Sequence, residues 1–317
     1  MDPLATPDRP VAGHDYPADW AQFQEWFPDE AACLRYLERL SWPHGFLCPA
    51  CGRARPPWRG SRQRLVCRAC GHQTTVTAGT LFQGTRTPLR QWFAAAWLVA
   101  TAEQGVSARQ LARALGLGSY ETAWTMLHRF RRAMVRSGRP KLEGRVEVAT
   151  VATPGTAPAL AAVALEDRGD APGRVRMQRL ASGTSEGFVD FLGQVVEPGT
   201  LVRAVRLRAW WPLAELGFMT ERAPRLTHLP AVERALAGWL RGTHRGATSP
   251  AQLDWYLDEF TFRFNRRAST HRGLLFYRLL EEAVVTPPLP YHRVVSPSET
   301  SSGAPFVPSS PPVLPAR

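Results

Sequence analysis

The amino-acid sequence predicts a multidomain α+β protein, and three observations support that fold class. The chain has 317 residues, of which 44% are hydrophobic, so it is long enough for two or more domains that each bury a core. Its N-terminal half contains two C-x-x-C pairs and then apolar residues at helical spacing. Residues 145–218 change to short strand-like runs, and helical segments return at 229–242 and 249–284.

Changes in composition and periodicity divide the chain into five regions. They are a flexible leader (1–24), a helix with a cysteine module (25–80), a helix-turn-helix region (81–140), a mixed α/β domain with C-terminal helices (141–285) and a disordered Pro/Ser-rich tail (286–317). Within the second region, Pro28 or Asp29 is expected to begin the first helix.

The cysteine module contains "CPAC" at 48–51 and "CRAC" at 67–70. Two such pairs at this separation predict a zinc ribbon whose ligands are Cys48, Cys51, Cys67 and Cys70. Four thiolates leave no open position for substrate or water, so the expected Zn²⁺ is structural rather than catalytic. Cys33 has no partner at ligand spacing and is expected to pack on the apolar face of its helix.

The charge of the chain suggests a polyanionic partner, because the net charge is +12. Within the ribbon, Arg62, Arg64 and Arg68 are interleaved with the aromatic Trp58, a pattern that suits contact with DNA phosphates. A hairpin that is merely solvated remains the alternative. The expected partner is double-stranded DNA, with a homo-oligomer also possible.

The segment "VSARQLARALGLGSYETAWTMLHRFRRAM" predicts a helix-turn-helix, with Ser107 as the first cap and Gly116 in the turn. The second helix would enter the major groove with its N-terminal residues and present its distal arginines to phosphates. The residues predicted to contact DNA are Ser119, Tyr120, Thr122, Arg129, Arg131, Arg132 and Arg136. A plain helical hairpin within a core is the alternative.

Two classes of protein are not favoured by the sequence. It contains no apolar run of membrane-spanning length, and its start lacks the basic and apolar regions of a secretory signal. We therefore expect a cytoplasmic protein without a membrane partner.

The order of these motifs resembles that of the zinc-ribbon insertion-sequence transposases of the ISXO type. The resemblance covers roughly residues 25–284 and rests on "FPDEAACLRYLERLSWPHGFLCPACG", "TAGTLFQGTRTPLRQWFAAAWLVA" and "YLDEFTFRFNRR". It implies an RNase H-like domain of the DDE/N class, in which carboxylates hold two divalent ions for DNA strand transfer. It also implies that the DNA partner is the terminal repeat of an insertion element.

The catalytic positions implied by this resemblance are altered. The first aspartate falls on Ala149 in "VEVATV" and the second on about Val205, while the third position falls near Glu233. Neither alanine nor valine binds a hard cation, so Mg²⁺ is not expected as a cofactor. No aspartate occurs between Phe191 and Gln252, which makes a displaced second aspartate hard to place.

Three interpretations follow from these positions. The favoured one is a DNA-binding protein that resembles a transposase but is a pseudoenzyme without strand transfer. The alternatives are an active transposase with displaced acids such as Glu147, and a zinc-ribbon transcriptional regulator derived from a transposase.

Overall fold

A computed structural model describes residues 10–135, 138–157, 159–180, 185–205, 211–246 and 248–295. The helices are α1 (Trp20–Trp26), α2 (Glu30–Ser41), α3 (Leu89–Thr101), α4 (Ala108–Leu115), α5 (Tyr120–Ala133), α6 (Ser185–Val195), α7 (Leu229–Gly242), α8 (Leu253–Phe264), α9 (Arg272–Val285) and α10 (Tyr291–Val295). The strands are β1 (Trp58–Arg59), β2 (Leu65–Val66), β3 (Gln73–Thr74), β4 (Arg145–Thr153), β5 (Ala159–Asp167), β6 (Pro172–Leu180), β7 (Leu201–Ala204) and β8 (Met219–Arg222).

The chain forms two compact units. One combines Met1–Met134 with Arg266–Ser296, and the other is centred on Val135–Asn265. This differs from the predicted α/β domain of 141–285, because α9 belongs to the first unit. The helix packs there through Leu275, Phe276 and Leu279, whose side chains complete a core formed mainly by residues from the N-terminal third of the chain.

Aromatic side chains dominate the core of the first unit. The ring of Phe276 on α9 lies with its centroid between 5.5 and 6.3 Å from the rings of Phe23, Phe27, Tyr36, Phe93 and Trp97. These tilted and edge-on arrangements are the favoured geometries for aromatic pairs. The cluster therefore ties α1, α2, α3 and α9 into one body.

The leader predicted at 1–24 is ordered in part. Asp19 caps α1 by accepting a hydrogen bond from the Gln22 amide, and the ring of Tyr16 is buried. The backbone carbonyl of Asp15 accepts hydrogen bonds from the Tyr36 hydroxyl and the Arg39 guanidinium. The prediction of a flexible leader is wrong for these residues because buried aromatic side chains anchor them; residues 1–9 lie outside the described residues.

The tail predicted to be disordered at 286–317 also begins with ordered residues. Tyr291–Val295 forms α10, and the side chains of Leu289 and Val294 are buried. Their apolar side chains compensate for the proline-rich composition that suggested disorder. The prediction for 296–317 falls outside the described residues.

Two carboxylates accept hydrogen bonds from backbone amides at the starts of α2 and α3. Asp29 caps α2 by accepting a hydrogen bond from the Ala32 amide, at one of the two predicted starts. Glu30 in turn accepts hydrogen bonds from the amides of Leu89 and Arg90, at the start of α3. Since Pro88 offers no side-chain cap, this long-range carboxylate supplies the acceptor that the exposed N–H groups of α3 need.

The second unit is built on a mixed five-stranded sheet with the order β6-β5-β4-β7-β8. Strands β4, β5 and β6 pair antiparallel, while β7 runs parallel to β4 and β8 parallel to β7. Because side chains alternate along a strand, the sheet buries both faces. Val146 and Val148 of β4 pack on the α6 side, whereas Ala149 and Val151 pack against α7 and α8.

The C-terminal region predicted as helical at 249–284 is divided. Helix α8 ends at Asn265, whose side-chain amide bonds both the N–H and the C=O of Val175 on β6. Strand β6 lies at the edge of the sheet, so the Asn265 amide takes the place of a further strand at that residue. This contact ends the helix that the apolar periodicity alone would have continued.

No helix among the described ranges is both long and apolar enough to cross a bilayer.

Candidate functional site

The four predicted zinc ligands converge in the first unit. The Sγ atoms of Cys48, Cys51, Cys67 and Cys70 all lie within 4.8 Å of one another. The Cys48–Cys70 and Cys51–Cys67 sulfur pairs are 3.7 and 3.8 Å apart. Tetrahedral zinc with Zn–S bonds of about 2.3 Å separates its sulfurs by about 3.8 Å, so the arrangement fits a four-thiolate zinc site.

Each cysteine pair is shaped by a turn that ends on glycine. Gly52 donates its amide to the carbonyl of Cys48, and Gly71 donates to that of Cys67. Both glycines have positive φ, at 67° and 72°, which a residue with a Cβ adopts only with strain. Hydrogen bonds from the backbone amides of Ala69 and Cys70 lower the pKa of the Cys67 thiol, whereas hydrogen bonds with the neighbouring sulfurs raise that of Cys70, so without a metal the cluster favours the thiolate at Cys67 first.

The zinc ribbon exposes arginine. Strands β1, β2 and β3 form a small antiparallel sheet, and the side chains of Arg62, Arg64 and Arg68 are all exposed at its surface. Arg59 differs from them, since its guanidinium binds both carboxylate oxygens of Glu38 on α2. The structure thus places three of the predicted DNA-binding residues on an accessible cationic surface, and uses Arg59 to hold the ribbon to α2.

Helices α4 and α5 are joined by the glycine turn that the sequence predicted. Ser107 and Gln110 form a capping box at the start of α4, and Gly116 ends this helix with a left-handed φ of 61°. Ser119 then caps α5 by accepting a hydrogen bond from the Thr122 amide. Both predicted caps are therefore present, and a four-residue connection separates the two helices.

The exposed end of α5 is its N-terminus. The side chain of Tyr120 is 52% exposed and Glu121 beside it is also exposed, so both are free of the core. Ser119 and Thr122 are less available, because their hydroxyl oxygens lie 3.0 Å apart and bond each other within the cap. Of the predicted groove contacts, Tyr120 is the most accessible.

The arginines further along α5 are turned toward the core. The guanidinium of Arg129 lies 5.7 Å from the ring centroid of Trp92, and burial lowers its pKa. Burial also lowers the pKa of Arg132, and Arg131 is almost completely buried with its Nη1 3.1 Å from His128 Nε2. The prediction that Arg131 contacts phosphate is wrong, because the side chain lies inside the unit; Arg136 is outside the described residues.

Two accessible arginines on α4 were missed. Arg109 and Arg113 are both exposed, on the side of the helix opposite the buried Leu111. Their i, i+4 spacing places them next to each other on one face. The signal is present in the sequence, because Arg109 and Arg113 lie four residues apart in "VSARQLARAL".

The two positions predicted to have lost a catalytic aspartate, 149 and 205, both lie in the second unit. Parallel pairing joins Val146 to Val202 and Glu147 to Arg203. Extending this register by two residues brings Val205, just after β7, opposite Ala149 on β4. The methyl group of Ala149 packs against the apolar cluster under α7 and α8, whereas Val205 is 43% exposed.

The acids near these positions have other roles. Glu147 is fully buried and accepts hydrogen bonds from the amides of Thr227, His228 and Leu229, so its carboxylate caps α7. Glu233 is exposed on α7, outside its buried stripe. Within the described ranges, the four cysteines are the one group of three or more possible ligands close enough to share an ion. The residues at 149 and 205 do not fit a pair of divalent cations.

Two segments of the chain, one in each compact unit, are similar to known protein families. Residues 28–73 match the family described as a transposase zinc-ribbon domain, and residues 149–265 match the ISXO2-like transposase domain. The two matches together span about half of the chain, and the second ends at the last residue of the second unit's main segment.

The chain therefore carries one segment similar to transposase zinc-ribbon domains and one similar to ISXO2-like transposase domains.

A curated relative agrees with this ISXO2-like assignment. The chain is 32% identical over 125 residues to a Halobacterium salinarum protein described as an uncharacterized protein in transposable element ISH50. The alignment spans 38% of this chain and 41% of that protein, less than half of either. The relative supports the association with a transposable element.

Proposed function

We propose that this ISXO2-like protein binds double-stranded DNA through its first unit and does not catalyse strand transfer. The observation that carries the proposal is the contrast between its two sites. The four cysteine sulfurs have the spacing that zinc requires, whereas Ala149 on β4 and Val205 just after β7 offer no metal ligand.

Charge and exposure support DNA binding by the first unit. The ribbon presents Arg62, Arg64 and Arg68, and α4 presents Arg109 and Arg113. Accessible arginines neutralise phosphates and release counterions, which gives affinity that decreases with salt. The N-terminus of α5, with Tyr120, is then the part of the helix-turn-helix available to enter a groove. The terminal repeat of an insertion element is the proposed duplex.

The side chains at the second unit argue against metal-assisted hydrolysis or strand transfer. Two-metal chemistry needs oxygen ligands on both neighbouring strands to hold ions against the attacking and leaving oxygens. Ala149 offers a methyl group, and Glu147 already accepts three backbone hydrogen bonds at the start of α7. Freeing that carboxylate would leave buried N–H groups without acceptors.

The proposal is tested with purified, zinc-loaded protein and a labelled duplex from the element's terminal repeat. Gel shift measures binding across a series of salt concentrations, and denaturing gels measure nicking and strand transfer in Mg²⁺ or Mn²⁺. We expect salt-dependent binding and no metal-dependent product. Nicking that is abolished by Glu147→Gln or Glu233→Gln would overturn the catalytic part, and an absence of binding would overturn the DNA-binding part.

A matched pair of arginine variants tests which face binds. Arg109→Gln removes an exposed cation, and we expect lower DNA affinity with a salt slope reduced by about one charge. Arg129→Gln changes a guanidinium packed on Trp92, and we expect a lower melting temperature with a smaller effect on the salt slope. A larger loss of affinity and of salt slope in Arg129→Gln than in Arg109→Gln would show that α5, and not α4, contacts the phosphates.

A further inference from the structure

We propose that Trp58 on the zinc ribbon is a stacking platform for one unpaired base of DNA. This inference rests on the proposed function and deepens it, by naming the form of DNA that the ribbon recognises. The ribbon would bind where a strand carries unpaired bases, while the helix-turn-helix of α4 and α5 binds intact duplex.

The exposure of Trp58 is the first observation. Its side chain is 65% exposed, more than that of any other aromatic residue in the described part of the chain. An indole ring presents a large apolar surface, which proteins usually bury. Its surroundings are cationic rather than apolar, because Arg53, Arg55 and Arg62 are exposed on the same small module. A nucleic acid combines the flat apolar faces and the negative charge that complement such a surface.

The position of the Arg68 side chain is the second observation. Its guanidinium lies 5.8 Å from the centroid of the Trp58 ring, a cation–π distance. Arg68 follows the zinc ligand Cys67, and Trp58 pairs with Val66 across the β1–β2 ladder. The metal site and the strand pairing thus hold both groups in place before any ligand binds, which reduces the entropy lost on binding.

The same contact decides how the ring can meet a base. A side chain that wedges between two stacked base pairs needs both of its faces free. Arg68 covers one face of Trp58, so a single face remains for stacking. One free face suits an unpaired base that has no stacked neighbour on that side, such as a base in a single-stranded extension or one displaced from the helix. The neighbouring arginines would hold the adjoining phosphates.

Fluorescence anisotropy on the full-length, zinc-loaded protein tests the proposal with three probes. They are a short blunt DNA duplex of mixed sequence, the same duplex with a single-stranded DNA extension, and the same duplex with an RNA extension. We expect tighter binding of the DNA extension than of the blunt end, by roughly 5- to 100-fold for one stacked base. Trp58→Leu should abolish that preference and leave blunt-duplex affinity and its salt slope unchanged, and Trp58→Phe should retain part of it.

Trp20→Leu is the matched control, because Trp20 is also an exposed tryptophan but lies outside the ribbon. It should keep the preference for the extension. Zinc content and melting temperature identify any variant that fails to fold, and Trp58→Phe then serves in place of Trp58→Leu.

Four results would overturn this inference. Equal affinity of the wild-type protein for blunt and extended DNA would overturn it while leaving the proposed function intact. An equal loss of affinity for the blunt and the DNA-extended duplex in Trp58→Leu would show that Trp58 contacts duplex. Tighter binding of the RNA extension would overturn the assignment to DNA. Binding to none of the probes would contradict the proposed function as well.

Discussion

Ala149 on β4 and Val205, the residue after β7, come opposite each other when the parallel register that pairs Glu147 with Arg203 is extended by two residues. We propose that these are the positions at which an active relative would hold its cations with two carboxylates. Here the pair consists of a methyl group packed on a core and a half-exposed isopropyl group. Neither side chain offers an oxygen ligand to a divalent cation.

Removing one zinc ligand tests the metal centre. Cys67→Ala should lose zinc and unfold the ribbon, since structural zinc supplies much of the folding free energy of so small a module. Elemental analysis should fall from one zinc per chain toward none, and DNA affinity should fall with it. Cys33→Ala is the matched control, because Cys33 lies outside the four-sulfur cluster, and it should retain zinc. A Cys67→Ala protein that retains a full equivalent of zinc would contradict the assignment.

The Glu147 carboxylate should be structural. Glu147→Ala would leave three backbone N–H groups at the start of α7 without their acceptor, and we expect a loss of roughly 2–5 kcal/mol in the free energy of unfolding. Urea unfolding measures it, with the exposed Glu143→Ala as the control. A variant as stable as the control would show that Glu147 does not stabilise the start of α7, and a catalytic role for its carboxylate would then have to be tested.

Gly155 should tolerate no side chain. A Cβ there would lie 2.6 Å from the carbonyl oxygen of Thr248, and Thr248 also accepts a hydrogen bond from the Thr156 amide. Gly155→Ala should therefore separate the β4–β5 connection from Thr248 and lower the melting temperature.

Gly238→Ala should raise the stability instead, because a Cβ at Gly238 would meet nothing within 4 Å. Gly238 is exposed within α7, so alanine should stabilise by about 0.5–1 kcal/mol. Calorimetry of the two variants compares them directly. A stabilised Gly155→Ala protein would show that this connection does not approach Thr248 as described.

Asp258 on α8 should make stability depend on pH. Burial raises the pKa of its carboxyl to about 7, with nearby Asp254 also raising it and Arg139 lowering it. The folded protein then holds this proton at pH values where the unfolded chain, with an ordinary pKa near 3.9, has released it. The stability contributed by this carboxyl is therefore fully present below about pH 4 and decreases as the pH rises toward 7.

Asp258→Asn should accordingly be more stable than the wild-type protein at pH 8 and should lose much of this pH dependence. Urea unfolding at pH 5 and pH 8 measures the difference, with the exposed Asp190→Asn as the control. A variant that is less stable than the wild-type protein at pH 8 would show that the electrostatic attraction of Arg139 outweighs the burial of the carboxyl.

Local features of the fold could be predicted from the sequence. The zinc ligands, the caps at Asp29, Ser107 and Ser119, and the turn at Gly116 all depend on residues close together in the chain. Each needs one residue type at one backbone position, so a short stretch of sequence carries the whole signal.

Contacts between distant segments could not be predicted in the same way. Glu147 caps a helix that begins about eighty residues later in the chain, and nothing in "VEVATV" indicates it. The burial of Arg129 depends on Trp92 of another helix, and α9 leaves the α/β unit because its apolar face completes an aromatic core elsewhere. Periodicity gives the buried face of a helix, but it does not give the partner.

The most direct test of the proposed loss of catalysis is Mn²⁺ binding by the zinc-loaded protein, followed by electron paramagnetic resonance of free Mn²⁺. We expect no stoichiometric binding by the wild-type chain, and gain of a site in the double variant Ala149→Asp with Val205→Asp, which places a carboxylate at each of the two positions. Stoichiometric binding by the wild-type protein that disappears in Glu147→Gln or Glu233→Gln would contradict the account and show that displaced acids hold the metal.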